Sequence, residues 1–217
     1  MNNLKAVIFD MDGVIIDSEP YYYKIQQKLF NELGFTVSKL EYSKFVGAGL
    51  HFMWKELSKK HNLKLPISQL LEINNDLTYN SFKNKDDLVA IEGFLDFFNY
   101  LKRNNFKTAV ASSTPKKTIE IILTKLNILD SFDVIISAEE VTNGKPAPDI
   151  FLKAADLLTC DPTECVVIED SQNGVRAAIT AGMKCIGLVN PSSGDQDLSF
   201  ADIRINKFSD LSLKELV

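Results

Sequence analysis

A doubly wound α/β fold, with a parallel sheet and a small all-helical block inserted after the first strand, is predicted by three features of this 217-residue chain. Short apolar runs recur and end in polar or acidic residues. Helical patterns lie between them. Residues 18–85, in contrast, carry apolar residues at helical spacing and no strand-like run.

The first run, Ala6-Val7-Ile8-Phe9, is apolar at every position, as a strand buried on both faces must be. Ile25, Leu29, Phe30 and Leu33 follow at helical spacing, then Met53, Trp54 and Leu57, then Leu70, Leu71 and Leu77. A crossover that long is no simple loop, so residues 18–85 form a separate helical domain, with 1–17 and 86–217 as the core domain. Its two chain crossings, Ile16–Glu19 and Asn84–Ile91, are hinge candidates. An insert just after the first strand lies above the carboxyl ends of the strands, where open α/β sheets bind ligands, and so makes a lid. Beyond it, helical patterns at Gly93–Lys102, Pro115–Leu126, Pro148–Leu158 and Gln172–Ala181 alternate with strand runs at Thr108–Ala111, Val134–Ile136, Val166–Ile168 and Cys185–Val189. Ser171 suits the N-cap of the last helix and Gly182 its C-terminal stop.

Composition narrows the function. Apolar residues make up 45% and charged residues 24%, which excludes a disordered or fibrous chain. The net charge of −5 argues against nucleic acid and anionic membrane as partners. Its arginines are Arg103, Arg176 and Arg204, so a phosphate site must rely on Lys, hydroxyls, backbone N–H groups or metal. Cys160, Cys165 and Cys185 form no CxxC, which fits buried, inert thiols in a reduced compartment. The Ala6–Phe9 run is far shorter than a signal core and meets Asp10, and no apolar stretch approaches the ~20 residues of a membrane span. A soluble, cytoplasmic protein is expected. With no heptad or exposed apolar stripe evident, so is a monomer.

The chemistry-bearing residues cluster at the strand ends. In Asp10-Met11-Asp12-Gly13, two carboxylates spaced by two leave an extended segment on one side, and Gly13 permits a sharp turn. Taken alone, this also fits an Asx-type turn. A second acidic pair, Glu169-Asp170, ends the Val166–Ile168 strand. If the two strands are parallel neighbours, four carboxylates converge, a repulsive set unless a cation joins them. All-oxygen donors without His or Cys suit Mg²⁺. Ser112-Ser113-Thr114-Pro115 opens a helix after the second core strand and brings hydroxyls and N–H groups to one spot, although an ordinary N-cap reads the same way. Lys145, in Asn143-Gly144-Lys145-Pro146, would balance charge on Asp10 and on a phosphate.

His51 and His61 lack carboxylate or Cys partners at metal spacing, which makes zinc improbable. Phe52, Trp54, Phe94, Phe97 and Phe98 read as core. Dinucleotide and P-loop motifs do not occur.

Taken in order, Asp10-x-Asp12, Ser112 after a strand, Lys145-Pro146 and Glu169-Asp170 before a helix resemble the haloacid dehalogenase-like superfamily, and the insert looks like its type-I helical cap. Phe9-Asp10-Met11-Asp12-Gly13-Val14, Gly144-Lys145-Pro146-Ala147-Pro148-Asp149 and Glu169-Asp170-Ser171-Gln172-Asn173-Gly174 look most like its β-phosphoglucomutase and sugar-phosphate phosphatase branch. The resemblance implies a Rossmann-like core and a Mg²⁺-dependent phosphatase acting on a small phosphorylated metabolite. Asp10 would be the nucleophile, forming an aspartyl-phosphate. Asp12 would protonate the leaving oxygen and then deprotonate water. Mg²⁺ would be held by Asp10, the backbone carbonyl of Asp12 and Asp170, with Glu169 close by or acting through water. Ser112, Ser113, Lys145 and Gly47 would contact phosphate or substrate. Dehalogenating relatives lack the second Asp of the first motif, so the presence of Asp12 excludes that chemistry. The alternative is a β-phosphoglucomutase-type phosphomutase, whose cap loop carries a phosphate-binding Arg and whose hinge carries a His. Here Leu50 and Tyr22 stand at those places, and the insert has no Arg. A phospho-acceptor switch of the response-regulator kind has no helical cap and ranks below both.

Overall fold

The structure, a computed structural model of the chain, describes residues 4–47 and 49–211. Six strands, β1 (Ala6–Phe9), β2 (Lys107–Ser112), β3 (Val134–Ser137), β4 (Cys165–Glu169), β5 (Lys184–Leu188) and β6 (Ile203–Ile205), form one sheet. Every pairing is parallel, in the order β3-β2-β1-β4-β5-β6. The order reverses direction at β1, so the crevice between the carboxyl ends of β1 and β4 is the place where a ligand is expected. Phe9 lies opposite Val110 on one side and Ile168 on the other, which aligns the ends of all three strands.

The unbroken apolar runs arise because helices cover both faces of the sheet. Side chains alternate along each strand. Val7 and Phe9 therefore enter one core layer, with α5 (Phe94–Arg103) and α6 (Lys116–Lys125). Ala6 and Ile8 enter the other, with α7 (Asp149–Leu157) and α8 (Gln172–Thr180). In the first layer the Phe9 ring meets Phe94 edge-on at 5.4 Å, a geometry that aligns the positive edge of one ring with the negative face of the other. Ser171 caps α8 by accepting from the Gly174 N–H, as its position suggests. The edge strand β6 is not foreseen, since three residues are too few to show a period.

Between β1 and α5 the chain forms α1 (Glu19–Glu32), α2 (Lys39–Tyr42), α3 (Leu50–His61) and α4 (Ile67–Lys83). These helices enclose an apolar cluster of their own around Leu29, Phe30, Met53, Trp54, Leu57 and Leu70. Phe30 packs edge-on against Trp54 at 5.7 Å. The two crossings are adjacent, tied by the Ile91 N–H donating to the Ile15 carbonyl at 2.8 Å.

Two expectations need correction here. Phe52 is 47% exposed rather than core, because Met53, Trp54 and Leu57 take the inward face of α3 and turn Phe52 outward. Of the three thiols only Cys165 and Cys185 are buried, while Cys160 is half-buried on the loop after α7. Among the described residues no helix is long and apolar enough to cross a membrane.

Candidate active site

The site begins one residue beyond β1. The Asp10 N–H donates to the Ile168 carbonyl at 3.0 Å and extends the β1–β4 pairing, which brings the carboxylate to the crevice. The chain then turns tightly, with the Gly13 N–H on the Ile16 carbonyl at 2.8 Å. Gly13 has φ of 80°, and a Cβ there would stand 1.8 Å from Asp170 Oδ2, so both the turn and the approach to Asp170 require glycine. From β4, Glu169 and Asp170 complete the four-carboxylate group that the two acidic motifs imply.

Lys145 is the counter-charge. Its ammonium donates to Asp10 Oδ1 at 2.5 Å, to Glu169 Oε1 at 2.7 Å and to the Ala111 carbonyl at 3.0 Å. Burial alone would lower the Lys145 pKa, but the Asp10 and Glu169 carboxylates outweigh it and hold the ammonium charged. Burial pushes the Asp10 carboxyl up to about 8 against the pull of Lys145, with Glu169 and Asp12 adding repulsion. Burial likewise raises Asp170 well above the usual carboxylate range, with Glu169 and Asp10 contributing. One ammonium does not balance four carboxylates, and the surplus negative charge is what a bound cation would neutralise.

Asp12 is held differently. The Tyr22 hydroxyl donates to Oδ1 at 2.9 Å, and the Thr114 and Ser112 hydroxyls donate to Oδ2 at 2.7 and 3.3 Å. A residue from α1, the last residue of β2, one from the loop after β2 and one from the loop after β1 are thus fixed together. Ser112, fully buried, also accepts from the Thr114 N–H at 3.1 Å, and the cavity is lined instead by Ser113 and Thr114. The Ser112 hydroxyl, proposed to contact phosphate, thus meets Asp12 at the end of β2.

Glu169 is bonded through both of its oxygens. Its Oε2 accepts from the Asp170 N–H, the Ser171 N–H and the Ser171 hydroxyl, each at 2.9 Å, and Oε1 accepts from Lys145. A Cβ at Gly174 would come within 1.7 Å of Oε1, so α8 packs directly on this carboxylate. Glu169 thereby anchors Lys145 and the start of α8.

Sequence reasoning missed the loop after β5. The Ser193 hydroxyl donates to Asp170 Oδ2, Asn190 Nδ2 donates to the Gly13 carbonyl at 3.1 Å, and the Ser192 hydroxyl donates to Asp17 Oδ2 at 2.9 Å. The available signal was the polar turn Asn190-Pro191-Ser192-Ser193 at another strand's carboxyl end. Gly47 does reach the site: it lines the cavity, and its carbonyl accepts from Asn173 Nδ2 at 3.1 Å.

The donor set suits Mg²⁺. Among the described residues no three His, Cys, Asp or Glu side chains form a cluster that could hold a metal ion by themselves. Mg²⁺ does not need one, since it binds through one or two carboxylates and keeps waters. Asp10 and Asp170, with the Asp12 carbonyl, are the residues present for that role.

The cavity these groups line measures about 370 Å³ and also receives α1, α4 and the loop before α3. Fold and cavity together define an α/β enzyme whose acidic centre lies at the switch point of its sheet. The chain belongs to the haloacid dehalogenase-like hydrolase family, whose model matches residues 7–188, and is a phosphoric monoester hydrolase of that family. It is 31% identical to the putative phosphatase YhcW of Bacillus subtilis over 99% of this chain and 96% of that one. It is 30% identical to the phosphorylated carbohydrates phosphatase of Thermotoga maritima over 84% of each. The crystal structure of a β-phosphoglucomutase from Clostridium difficile superposes with a TM-score of 0.82 at 26% identity, over 98% of this chain and 95% of that one.

Proposed function

We propose that this protein hydrolyses the monophosphate ester of a small carbohydrate through an aspartyl-phosphate on Asp10. The observation that carries the reading is Lys145, buried and bonded at once to Asp10 and Glu169 beside the hydroxyl-locked Asp12. Asp10 attacks phosphorus in line as the P–O bond to the sugar breaks. Asp12 gives its proton to the departing oxygen, then takes one from the water that cleaves the acyl phosphate. Lys145 stays charged throughout and faces the oxygens on which charge gathers. Ser113 and Thr114, at the start of α6, line the same space. Mg²⁺ held by Asp10, Asp170 and the Asp12 carbonyl would supply further charge neutralisation for the phosphoryl group. The names of the Bacillus and Thermotoga relatives support both the ester chemistry and the carbohydrate.

Residues 18–85 act as a lid domain pivoting on the crossings Ile16–Glu19 and Asn84–Ile91, which the bond from Ile91 to Ile15 holds side by side, and excluding bulk water once substrate is bound. Tyr22, on α1, reaches Asp12 only while the lid lies over the sheet, which couples closure to the general acid.

Water, not a second sugar, is the acceptor. A mutase has to clamp two phosphates, yet Lys145 is the one cationic side chain among the described residues lining the cavity, and Leu50 stands at the start of α3. Phosphate release from a panel of sugar and polyol monophosphates with added Mg²⁺ tests the reading, and EDTA should abolish it. Interconversion of sugar phosphates that outpaces phosphate release would overturn hydrolysis. Full turnover in excess chelator would overturn the metal's role.

A further inference from the structure

The lid's share of the cavity lining contains a polar group that the chemistry above does not use. Gln26 on α1 and Asn74 on α4 are each 1% exposed, and Thr78, one turn beyond Asn74, is 4% exposed. Asn74 Oδ1 accepts from Trp54 Nε1 at 3.2 Å and from Gln26 Nε2 at 2.6 Å. An indole N–H only donates, so it determines which Asn74 atom is the oxygen. Gln26 must then present its NH₂ to Asn74, and its own Oε1 is left over. That Oε1 has no partner, and neither does the Thr78 hydroxyl. Gln26, Asn74 and Thr78 all line the cavity.

Buried oxygens without partners are destabilising unless something arrives to bond them. Two such atoms on facing helices, one of them held in a single orientation by an indole, make a built acceptor site. The charge around them narrows the ligand. Lys145 is the one cation in the described lining, whereas Glu19 on α1 adds a further acceptor whose Oε1 is also unpartnered. A second phosphate would find no counter-charge there. A neutral, hydroxyl-rich chain would find acceptors.

We propose that Gln26 Oε1 and Thr78 Oγ1 are specificity-determining atoms that accept hydrogen bonds from hydroxyls at the end of the substrate remote from the phosphate. Together they select polyhydroxylated monophosphates over short alkyl monophosphates and over bisphosphates. The proposal rests on the ester-hydrolysis reading for its assignment of the phosphate end, but it can be tested separately by binding.

Thr78→Val and Gln26→Met remove the acceptors at nearly constant volume. In Gln26→Met, Trp54 still bonds Asn74, so no new orphan arises. Thermal shifts would be read with a panel of pentose, hexose and hexitol monophosphates, with ethyl phosphate and with fructose 1,6-bisphosphate. In the wild type, at least one sugar or polyol monophosphate should raise Tm more than ethyl phosphate or the bisphosphate does. Both variants should lose that margin, and Thr78→Ser should restore it. Where turnover is measurable, kcat/KM for that monophosphate relative to ethyl phosphate should fall at least tenfold, through KM. Ligand-free Tm should stay level or rise in Thr78→Val, because an unbonded hydroxyl leaves the interior; a purely structural threonine would lower it. A wild type with no margin for any sugar or polyol, or variants that keep it, overturns the proposal. Preserved margins without any phosphate release would instead overturn the hydrolysis reading alone.

Discussion

At the strand ends Asp10, Asp12, Glu169 and Asp170 all have hydrogen-bond partners inside the protein, whereas on the lid Gln26 Oε1 and Thr78 Oγ1 have none. The strand-end region is charged, and it is rigid because many elements meet there: β1, β4 and the loops after β2, β3 and β5. Its groups are oriented before substrate arrives, as electrostatic stabilisation of a transition state requires. The lid wall is neutral apart from Glu19 and leaves its bonds open. Discrimination between substrates arises where buried polar groups are satisfied by the right ligand and left bare by the wrong one. On the proposed reading, one region serves chemistry and the other choice.

Four experiments would break or sharpen that contrast. Asp10→Asn should show the largest effect, lowering kcat for phosphate release at least about a thousandfold, or roughly 4 kcal/mol in barrier. A variant that keeps a tenth of the activity would remove Asp10 from the covalent role. Next comes Lys145→Met, which leaves Asp10 and Glu169 facing each other without their shared cation. Breaking a buried pair in this way costs about 3 kcal/mol or more. For a chain of this size the melting temperature should fall by roughly 6 °C or more. An unchanged melting curve would mean that the charge centre does not hold the strand ends together.

Glu19 tests the lid's electrostatics with a smaller and pH-dependent effect. Burial pushes its carboxyl up to about 7, opposed by a hydrogen bond from Tyr42 and helped by Asp12 and Asp17. The folded form thus holds its proton to higher pH than the unfolded chain does. Between about pH 4.5 and 7 the folded state binds more protons, so stability falls as pH rises through that window. Glu19→Gln should be more stable than the parent at pH 8, by about 1–3 kcal/mol, and should lose that advantage near pH 4.5. Denaturant melts at the two pH values read the difference, and a gap independent of pH would refute it. The smallest effect is expected from Trp54→Phe, which deletes the N–H that orients Asn74 and, through it, Gln26. KM for the preferred sugar phosphate should rise about threefold to tenfold with kcat nearly unchanged, a loss of about 1 kcal/mol. A fall in kcat instead would place Trp54 in the coupling between lid and chemistry.

Much of the fold was legible because its signals are local. Five strands show as short unbroken apolar runs and four core helices in a period of 3.6 residues. The insert shows as a long stretch with only the helical period, and the acidic pairs stand at strand ends that must be adjacent if the sheet is parallel. The illegible parts are those in which a side chain had two options and a distant partner decided between them. That the Ser112 hydroxyl would meet Asp12, 100 residues away in the chain, was not visible in its own motif. That the backbone of its own turn and Lys145 would both bond Glu169 was equally hidden. Phe52 has the composition of a core residue, and only the packing of α3 against α4 turned it outward.

The sequence by itself determined the alternating architecture, the place of the helical insert and the residues carrying charge at the strand ends. Each of these follows from side-chain period, from chain length or from the polar residues that end a strand. Tertiary structure alone decided which oxygens are bonded and which are left open: Asp12 bonded by Tyr22, Thr114 and Ser112, Asp170 covered by the loop after β5, Gln26 Oε1 and Thr78 Oγ1 unpaired. The physical reason is range. Helix and strand patterns form among neighbours in sequence, whereas a buried hydrogen bond depends on angles and distances between atoms that meet only once the helices and sheet have packed.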